Sequence, residues 1–511
     1  MNFNPSRWCA AVAALLVLAG RVFAAQFSYV PSDADPPSVD REFRGLWIAT
    51  VANRDWPSKP NLTVAEQKSE LIAILDFARS LKLNAVILQV RPACDALYAS
   101  PIEPWSEYLT GAMGRAPSPF YDPLAFAVEE AHRRGLELHA WFNPYRALHF
   151  TSTSRMASNH VSRTHPDLVK RYGKYLWLDP GERATRDYTL DVVSDVVRRY
   201  DIDGVHFDDY FYPDKADSGT DQDFPDDASW RKAQRRAPVE NLTRDAWRRQ
   251  NVNTFIERAY RTIKQIKPWV KLGVSPRGIW RPSNPPGIKG MDAYATIYAD
   301  SRKWLMNGWV DYFSPQLYWP TTSRDQNFAA LLSWWVRQDV EGRHLWPGLA
   351  VYRAPDWPPG EVQAQIDTIR RQSGAGGYLC YNTSSLMRNE DLARSFRSSI
   401  NLRPALVPGS PWMGGTAPGR PSVTSSASSG LRLDLTASRP GARWWLIQSR
   451  VNGDWRTEIQ SAAESVKRFA APLPDLVAVT EINRFGLAGP AAVLERRTAS
   501  ASPAHEAHPN H

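Results

Sequence analysis

At 511 residues, with 43% hydrophobic residues, the chain is longer than one ordinary domain and has ample apolar content for a large buried core. A net charge of +9 suits acidic partners, but the basic residues are dispersed and no nucleic-acid motif accompanies them, so nucleic-acid binding is not expected. Three cysteines make no disulfide framework, and the 21 tryptophans mark either a large aromatic core or a carbohydrate cleft.

Residues 1–24 read as a signal peptide. Arg7 supplies the positive charge, Ala10 to Gly20 is apolar, and Val22-Phe23-Ala24 has the small-residue cleavage pattern, with the cut after Ala24 or Ala25. The apolar run is too short for a membrane span, and no cysteine follows it to carry a lipid. The expectation is an exported protein of the periplasm or cell envelope with no membrane span after signal removal; a retained N-terminal anchor is the alternative. Cleavage removes Cys9, Arg7 and Arg21, lowering the charge from +9 to +7. Cys94 and Cys380 remain and can pair in an oxidising compartment. Neither has a neighbour at metal-ligand spacing, so no metal site and no cofactor are expected.

Residues 25–40 are rich in Pro, Asp and Ser and read as a leader. A strict alternation then begins. Strands are predicted at Phe43 to Thr50, Asn84 to Val90, Leu136 to Asn143, the run through Gly204 to Tyr210, Val270 to Ser275, Val310 to Trp319, His344 to Tyr352 and Gly377 to Tyr381. Helices are predicted at Val64 to Lys82, Pro123 to Arg134, Asp191 to Tyr200, Arg244 to Lys267, Ser301 to Trp309, Phe328 to Val340, Glu361 to Gln372 and Glu390 to Ser398. Eight such units over 41–402 predict an α/β fold, a (β/α)8 TIM barrel with insertions at 91–118, 144–190 and 211–243. A doubly wound sheet is weaker, because no Gly-rich phosphate turn follows any strand. Residues 403–430 have a linker composition. Residues 431–497 alternate in short runs, as in a small all-β fibronectin type III-like sandwich, and 498–511 read as a disordered tail.

Barrel enzymes draw chemistry from strand ends, so the run Asp201 to Tyr210 is central. Strand alternation puts His206, Asp208 and Tyr210 on one face, with Asp208 presented at the mouth. The other strand ends offer Arg91, Trp141, Asn143, Tyr145, Arg277, Gln316, Tyr318, Trp319 and Asn382. Amides, Arg and aromatic rings around carboxylates suit a hydroxyl-rich polysaccharide. Glycoside hydrolysis needs two carboxyl groups. Asp208 is the first choice for the ionised one; the second comes from Asp95 in the loop after the second strand, or from Asp209 if the alternation has broken there. Asp214, Asp217, Asp221, Asp223, Asp226 and Asp227 read as a solvated acidic loop, and the basic run Arg231 to Arg249 as a solvated helix face.

The motifs Phe43-Arg44-Gly45-Leu46-Trp47, Gln89-Val90-Arg91-Pro92, Tyr121-Asp122-Pro123-Leu124, His139 to Arg146, Gly204 to Tyr210, Phe224-Pro225-Asp226-Asp227 and Pro315 to Trp319 together resemble the glycosyl-hydrolase-like 10 family over most of 41–400. The resemblance implies an exported bacterial barrel glycosidase, similar to one that acts on peptidoglycan glycan strands free of stem peptides, so that peptidoglycan or a similar amino-sugar polymer is the expected substrate. The fourth strand is also similar to the α-amylase pattern, whose nucleophile falls on Asp208. That family's acid glutamate has no counterpart at Ser275-Pro276-Arg277. In the chitinase pattern the acid glutamate falls on Tyr210. A non-catalytic glycan-binding barrel is therefore the alternative function, and a deacetylase or lyase a weaker third.

Overall fold

The computed structural model of the chain describes residues 27–236, 242–427 and 430–498. The expected signal peptide and all but the first residue of the expected tail lie outside them; that first residue, Thr498, ends a strand.

Eight strands form the barrel: β1 Phe43–Ile48, β2 Ala85–Arg91, β3 Glu137–Phe142, β4 Gly204–Phe207, β5 Lys271–Val274, β6 Tyr312–Phe313, β7 in two pieces (His344–Leu345 and Gly348–Ala350) and β8 Gly377–Tyr381. Each runs parallel to the next in chain order, and β8 pairs with β1 to close the ring. β7 breaks at Pro347, which has no N–H to give; Trp346 N–H to Phe313 O and Gly348 N–H to Pro315 O carry the ladder across the gap. Pro315 likewise cuts β6 well short of the predicted Val310 to Trp319. Most helices keep their predicted places. The one before β4 starts at Arg183 rather than Asp191, because its polar first turns hide the apolar period. The insertion after β3 is no plain loop: Arg146–Leu148, Val169–Tyr172 and Tyr175–Leu178 form a three-stranded antiparallel sheet.

Aromatic rings fill the barrel interior. Phe43 stacks on Trp346 at 3.8 Å, and Trp346 on Tyr312 at 4.8 Å. Glycine makes room for one of them: a Cβ at Gly273 would stand 1.9 Å from the Tyr312 ring. Most tryptophans are thus core, with Trp56, Trp177, Trp304, Trp335 and Trp346 among the largest fully buried side chains.

The C-terminal module packs Ser422–Ala427 (β9), Leu431–Thr436 (β10) and Val466–Phe469 (β13) against Ala442–Val451 (β11), Asp454–Ser461 (β12), Leu476–Asn483 (β14) and Ala492–Thr498 (β15). Three strands facing four in this order is the fibronectin type III arrangement. Leu431, Leu433 and Leu435 alternate inward to meet Trp445, Ile447, Val477 and Val479. Two expectations are corrected here. The leader contains a strand, Phe27–Pro31, that pairs antiparallel with β15 and lends Tyr29 to the module's core. The linker is largely structured: β9 lies within it, Ala405, Leu406 and Val407 are buried, and Trp412 donates to Asp311. The module sits at the strand N-termini, where Arg443 pairs with Asp203 at 2.6 Å and Arg484 with Asp201 at 2.5 Å. The strand C-termini and their insertions lie at the barrel's other end.

Candidate active site

β4 carries the chain from Gly204 to Phe207 and then leaves the sheet, so Asp208 and Asp209 fall where strand alternation has ended. Both turn to the mouth, at only 4% and 5% exposure. Asp208 Oδ2 accepts from Trp141 Nε1 at 3.0 Å and Asn143 Nδ2 at 3.1 Å. The Asn143 amide is itself fixed, because its Oδ1 accepts the Arg146 N–H at 2.9 Å. Asp209 Oδ1 accepts from Gln316 Nε2 at 3.0 Å, and Arg277 Nε stands 2.6 Å from Oδ2. Burial first, and the neighbouring Asp209 charge second, push the Asp208 carboxyl up to about 7, against partial relief from Arg146 and Trp141. Asp209, in turn, holds the Arg277 guanidinium more firmly protonated than usual. The pair is therefore polarised, with a proton-holding Asp208 beside an ion-paired Asp209. The expectation of an ionised Asp208 thus meets a carboxyl raised to near neutrality.

His206 lies one layer below, fully buried, and its tautomer follows from its partners. Nε2 faces Trp47 Nε1 at 3.2 Å, and an indole can only donate, so Nε2 carries no proton. Nδ1–H then donates to the Tyr312 hydroxyl at 2.9 Å, and that hydroxyl donates to His139 Nδ1 at 2.8 Å. His139 Nε2–H reaches Glu137 at 3.0 Å, and Lys271 Nζ holds Glu137 at 2.9 Å. Burial, with the nearby His139, keeps His206 neutral, its pKa well below the usual imidazole range. Both of its nitrogens are taken by the protein, which corrects its reading as a substrate ligand; it supports the floor of the site.

Two predicted residues, Arg277 and Gln316, hold Asp209, and two more stand beside them. Arg277, Gln316, Tyr318 and Trp319 line a cavity of about 210 Å³ with Gly278, Ile279, Met291 and Arg353. Larger cavities, of about 590 and 540 Å³, lie at the strand N-termini among charged side chains, away from any strand C-terminus. Tyr210 stands over the pair, its ring 5.2 Å from the Arg146 guanidinium and 5.9 Å from that of Arg277. Tyr318 stacks on Tyr381 at 6.1 Å.

Three predictions fail on contact geometry, and a fourth residue, Asp95, is held within its own loop. Arg91 is fully buried, and all five of its N–H groups are used on Glu103, Cys94 Sγ and the carbonyls of Asn143 and Pro144. Tyr145 is buried against Phe255 on the helix side of the wall. Asn382 Nδ2 donates to Asp55 at 3.0 Å, tying the β8 end to the loop after β1. Asp95 accepts the Ala93 N–H at 2.8 Å within its own loop; burial, against hydrogen bonds from Ser106 and Ala93, lifts it to about 6. The acidic loop and basic run are also misjudged in part. Arg248 is buried and pairs with Asp226 at 2.7 Å and Asp223 at 2.9 Å. Cys94 and Cys380 are separate, buried free thiols. Arg146 and Trp47 were missed. Arg146 sits in a quoted motif, and its position three residues after Asn143 is the signal that could have found it.

The sequence profile of the family described as glycosyl hydrolase-like 10 matches residues 42–364, more than half of the chain. The chain belongs to that family. It is 42% identical to a glycosyl hydrolase of Bacillus subtilis strain 168, YngK, over 77% of this chain and 78% of that protein. It is 37% identical to the glycosyl hydrolase DigH of Escherichia coli K12 over 66% of this chain and 83% of that protein. Among solved structures it is similar to the PgaB (BpsB) glycoside hydrolase domain of Bordetella bronchiseptica, at 13% identity and a TM-score of 0.46, over 71% of this chain and 99% of that one. The chain is a glycosidase, and carbohydrate is its substrate class. Among the described residues no helix is long and apolar enough to cross a membrane.

Proposed function

We propose that this glycosidase is exported and cleaves peptidoglycan glycan strands stripped of their stem peptides, with Asp208 as the proton donor. The observation that carries the reading is the polarised pair: a carboxyl raised to about 7 beside a carboxylate paired with Arg277, at the C-terminal end of the barrel strands. Oδ2 of Asp208 already accepts two hydrogen bonds and Oδ1 only the longer one from the Tyr210 N–H at 3.4 Å, so its proton sits on Oδ1, the oxygen that faces the leaving group in this reading. The N-terminal segment with Arg7 and its apolar run supports export. Stripped strands expose free lactyl carboxylates, which suit a mouth carrying Arg353 beside the Asp209-paired Arg277.

Adjacent residues at one strand end reach the scissile bond from one side, so the group attacking the far face of C1 is neither of them. An N-acetylated sugar supplies its own: the 2-acetamido oxygen bonds to C1 as the C1–O bond to the leaving sugar breaks. The Asp208 proton passes to that leaving oxygen, and Asp209 accepts from the acetamido N–H. Water then opens the cyclic intermediate and returns a proton to Asp208.

The test is reducing-end release from purified strands with and without stem peptides, and after chemical de-N-acetylation. Turnover is expected on stripped, acetylated strands. No release from any strand by folded protein overturns the substrate; equal release from de-N-acetylated strands overturns the attacking group.

A further inference from the structure

We propose that Phe150, Tyr175 and Lys174 form an accessory subsite that takes a carboxylate-bearing pyranose of the same glycan strand, some sugars away from the bond being cleaved. The proposal rests on the glycan reading above. Phe150 is 51% exposed, among the most exposed large apolar side chains described. A lone exposed ring needs no explanation. This one ends a line of rings that starts at the catalytic mouth: Tyr210 to Trp177 at 6.4 Å, Trp177 to Tyr175 at 6.0 Å, and Tyr175 to Phe150 at 5.7 Å.

The ledge is built to stay in place. Thr151 Oγ1 lies 3.0 Å from the Tyr108 hydroxyl and 2.7 Å from His149 Nδ1. The buried Glu107 carboxylate accepts the N–H groups of Thr153 and Ser154 at 3.0 and 2.9 Å. The loop carrying Phe150 is thus fixed from the loop after β2, and Tyr175 stands on the antiparallel sheet beside it. Lys174 Nζ sits 4.4 Å from the Phe150 ring centre and 5.6 Å from that of Tyr175, with no ion-pair partner among the described residues. An aromatic ring stacks on the C–H face of a pyranose, and an ammonium group pairs with a carboxylate. Muramic acid freed of its peptide offers both on one residue, and an exposed cation held over two rings selects it from a neutral sugar.

Binding is measured on the Asp208→Asn protein, which requires no turnover. The probes are long stripped strands, the same strands with their carboxylates amidated, and a stripped disaccharide. Phe150→Ala is expected to weaken binding of long strands by about fivefold to tenfold, from the loss of one aromatic contact, and to leave the disaccharide unchanged. Lys174→Gln is expected to weaken binding of stripped strands and not of amidated ones. Long strands bound equally by Phe150→Ala and its parent, or a Lys174→Gln loss that persists after amidation, overturn the subsite, as does a parent that binds no strand. A wild-type protein that releases no reducing ends while Phe150→Ala still loses affinity overturns the hydrolytic reading and leaves the subsite standing.

Discussion

Asp203 enters β4 and Asp208 leaves it. Both are withdrawn from water, and their acidities move in opposite directions. At the base, burial opposes ionisation, but Arg443 and then His132 outweigh it, with the Leu138 N–H at 2.8 Å adding to them, and Asp203 is held far below the usual carboxylate range. At the mouth, burial is joined by a second negative charge, and the Trp141 and Asn143 donors do not offset it. Burial is common to both ends, so it decides nothing by itself. What differs is whether the fold delivers a matching cation, and the C-terminal module delivers one only to the base. A carboxylate that holds structure together is neutralised by its partner; one left short of a partner retains a proton it can give away.

The largest effect expected from this contrast is on rate. Asp208→Asn should lower turnover on the order of 10³-fold with the fold intact, as for the loss of a general acid. Asp95→Asn should keep turnover within about threefold, since its carboxylate serves its own loop. A rate loss at Asp95 matching that at Asp208 would break the contrast.

Next comes stability at the base. Arg443→Met strands Asp203 without its first partner and should cost about 3 kcal/mol near neutral pH, read by denaturant unfolding. The folded-state pKa of Asp203 is depressed, so the pairing stabilises above the unfolded value of about 4 and is lost as pH falls through the folded one. The cost of Arg443→Met should therefore shrink in acid. A cost that stays constant with pH would show that Arg443 acts through packing.

A smaller effect is expected in the pH profile. A donor with its carboxyl at about 7 keeps its proton below that pH and loses it above, so kcat/KM should fall about tenfold per unit once pH passes about 7. A profile flat through pH 8 would remove the proton from Asp208.

Much of this was legible in the sequence, and the part that was not has a physical cause. The eight-strand period and the place of Asp208 could be read because a barrel strand repeats every second residue and helices every third or fourth. The module's topology followed from runs such as Leu431-Arg432-Leu433, whose alternation is its burial. Arg91, Tyr145 and Asn382 were misread because a residue at a strand's C-terminal end can face the mouth, the helix layer or the next loop, and the direction is set by backbone that has left the regular strand. The partner of Asp203 could not be foreseen either: Arg443 lies 240 residues away on another module. The N-terminal strand was hidden for the same reason, since Phe27–Pro31 is a strand only because β15 pairs with it.

The finest test acts on Asp208 without touching it. Trp141 Nε1–H donates to Oδ2 at 3.0 Å, a bond that favours the ionised carboxyl and pulls its pKa downward. Trp141→Phe keeps an aromatic ring in the wall and deletes that donor. One hydrogen bond of about 1 kcal/mol corresponds to roughly 0.7 pH units, so the alkaline limb should move upward by no more than that. The rate at pH 6, where the donor is already protonated, should hardly change. If the limb instead moves downward, the substitution acts by changing the burial of Asp208 and not through the lost donor. An unmoved limb means that Asn143, also donating to Oδ2 at 3.1 Å, is enough to hold that oxygen alone.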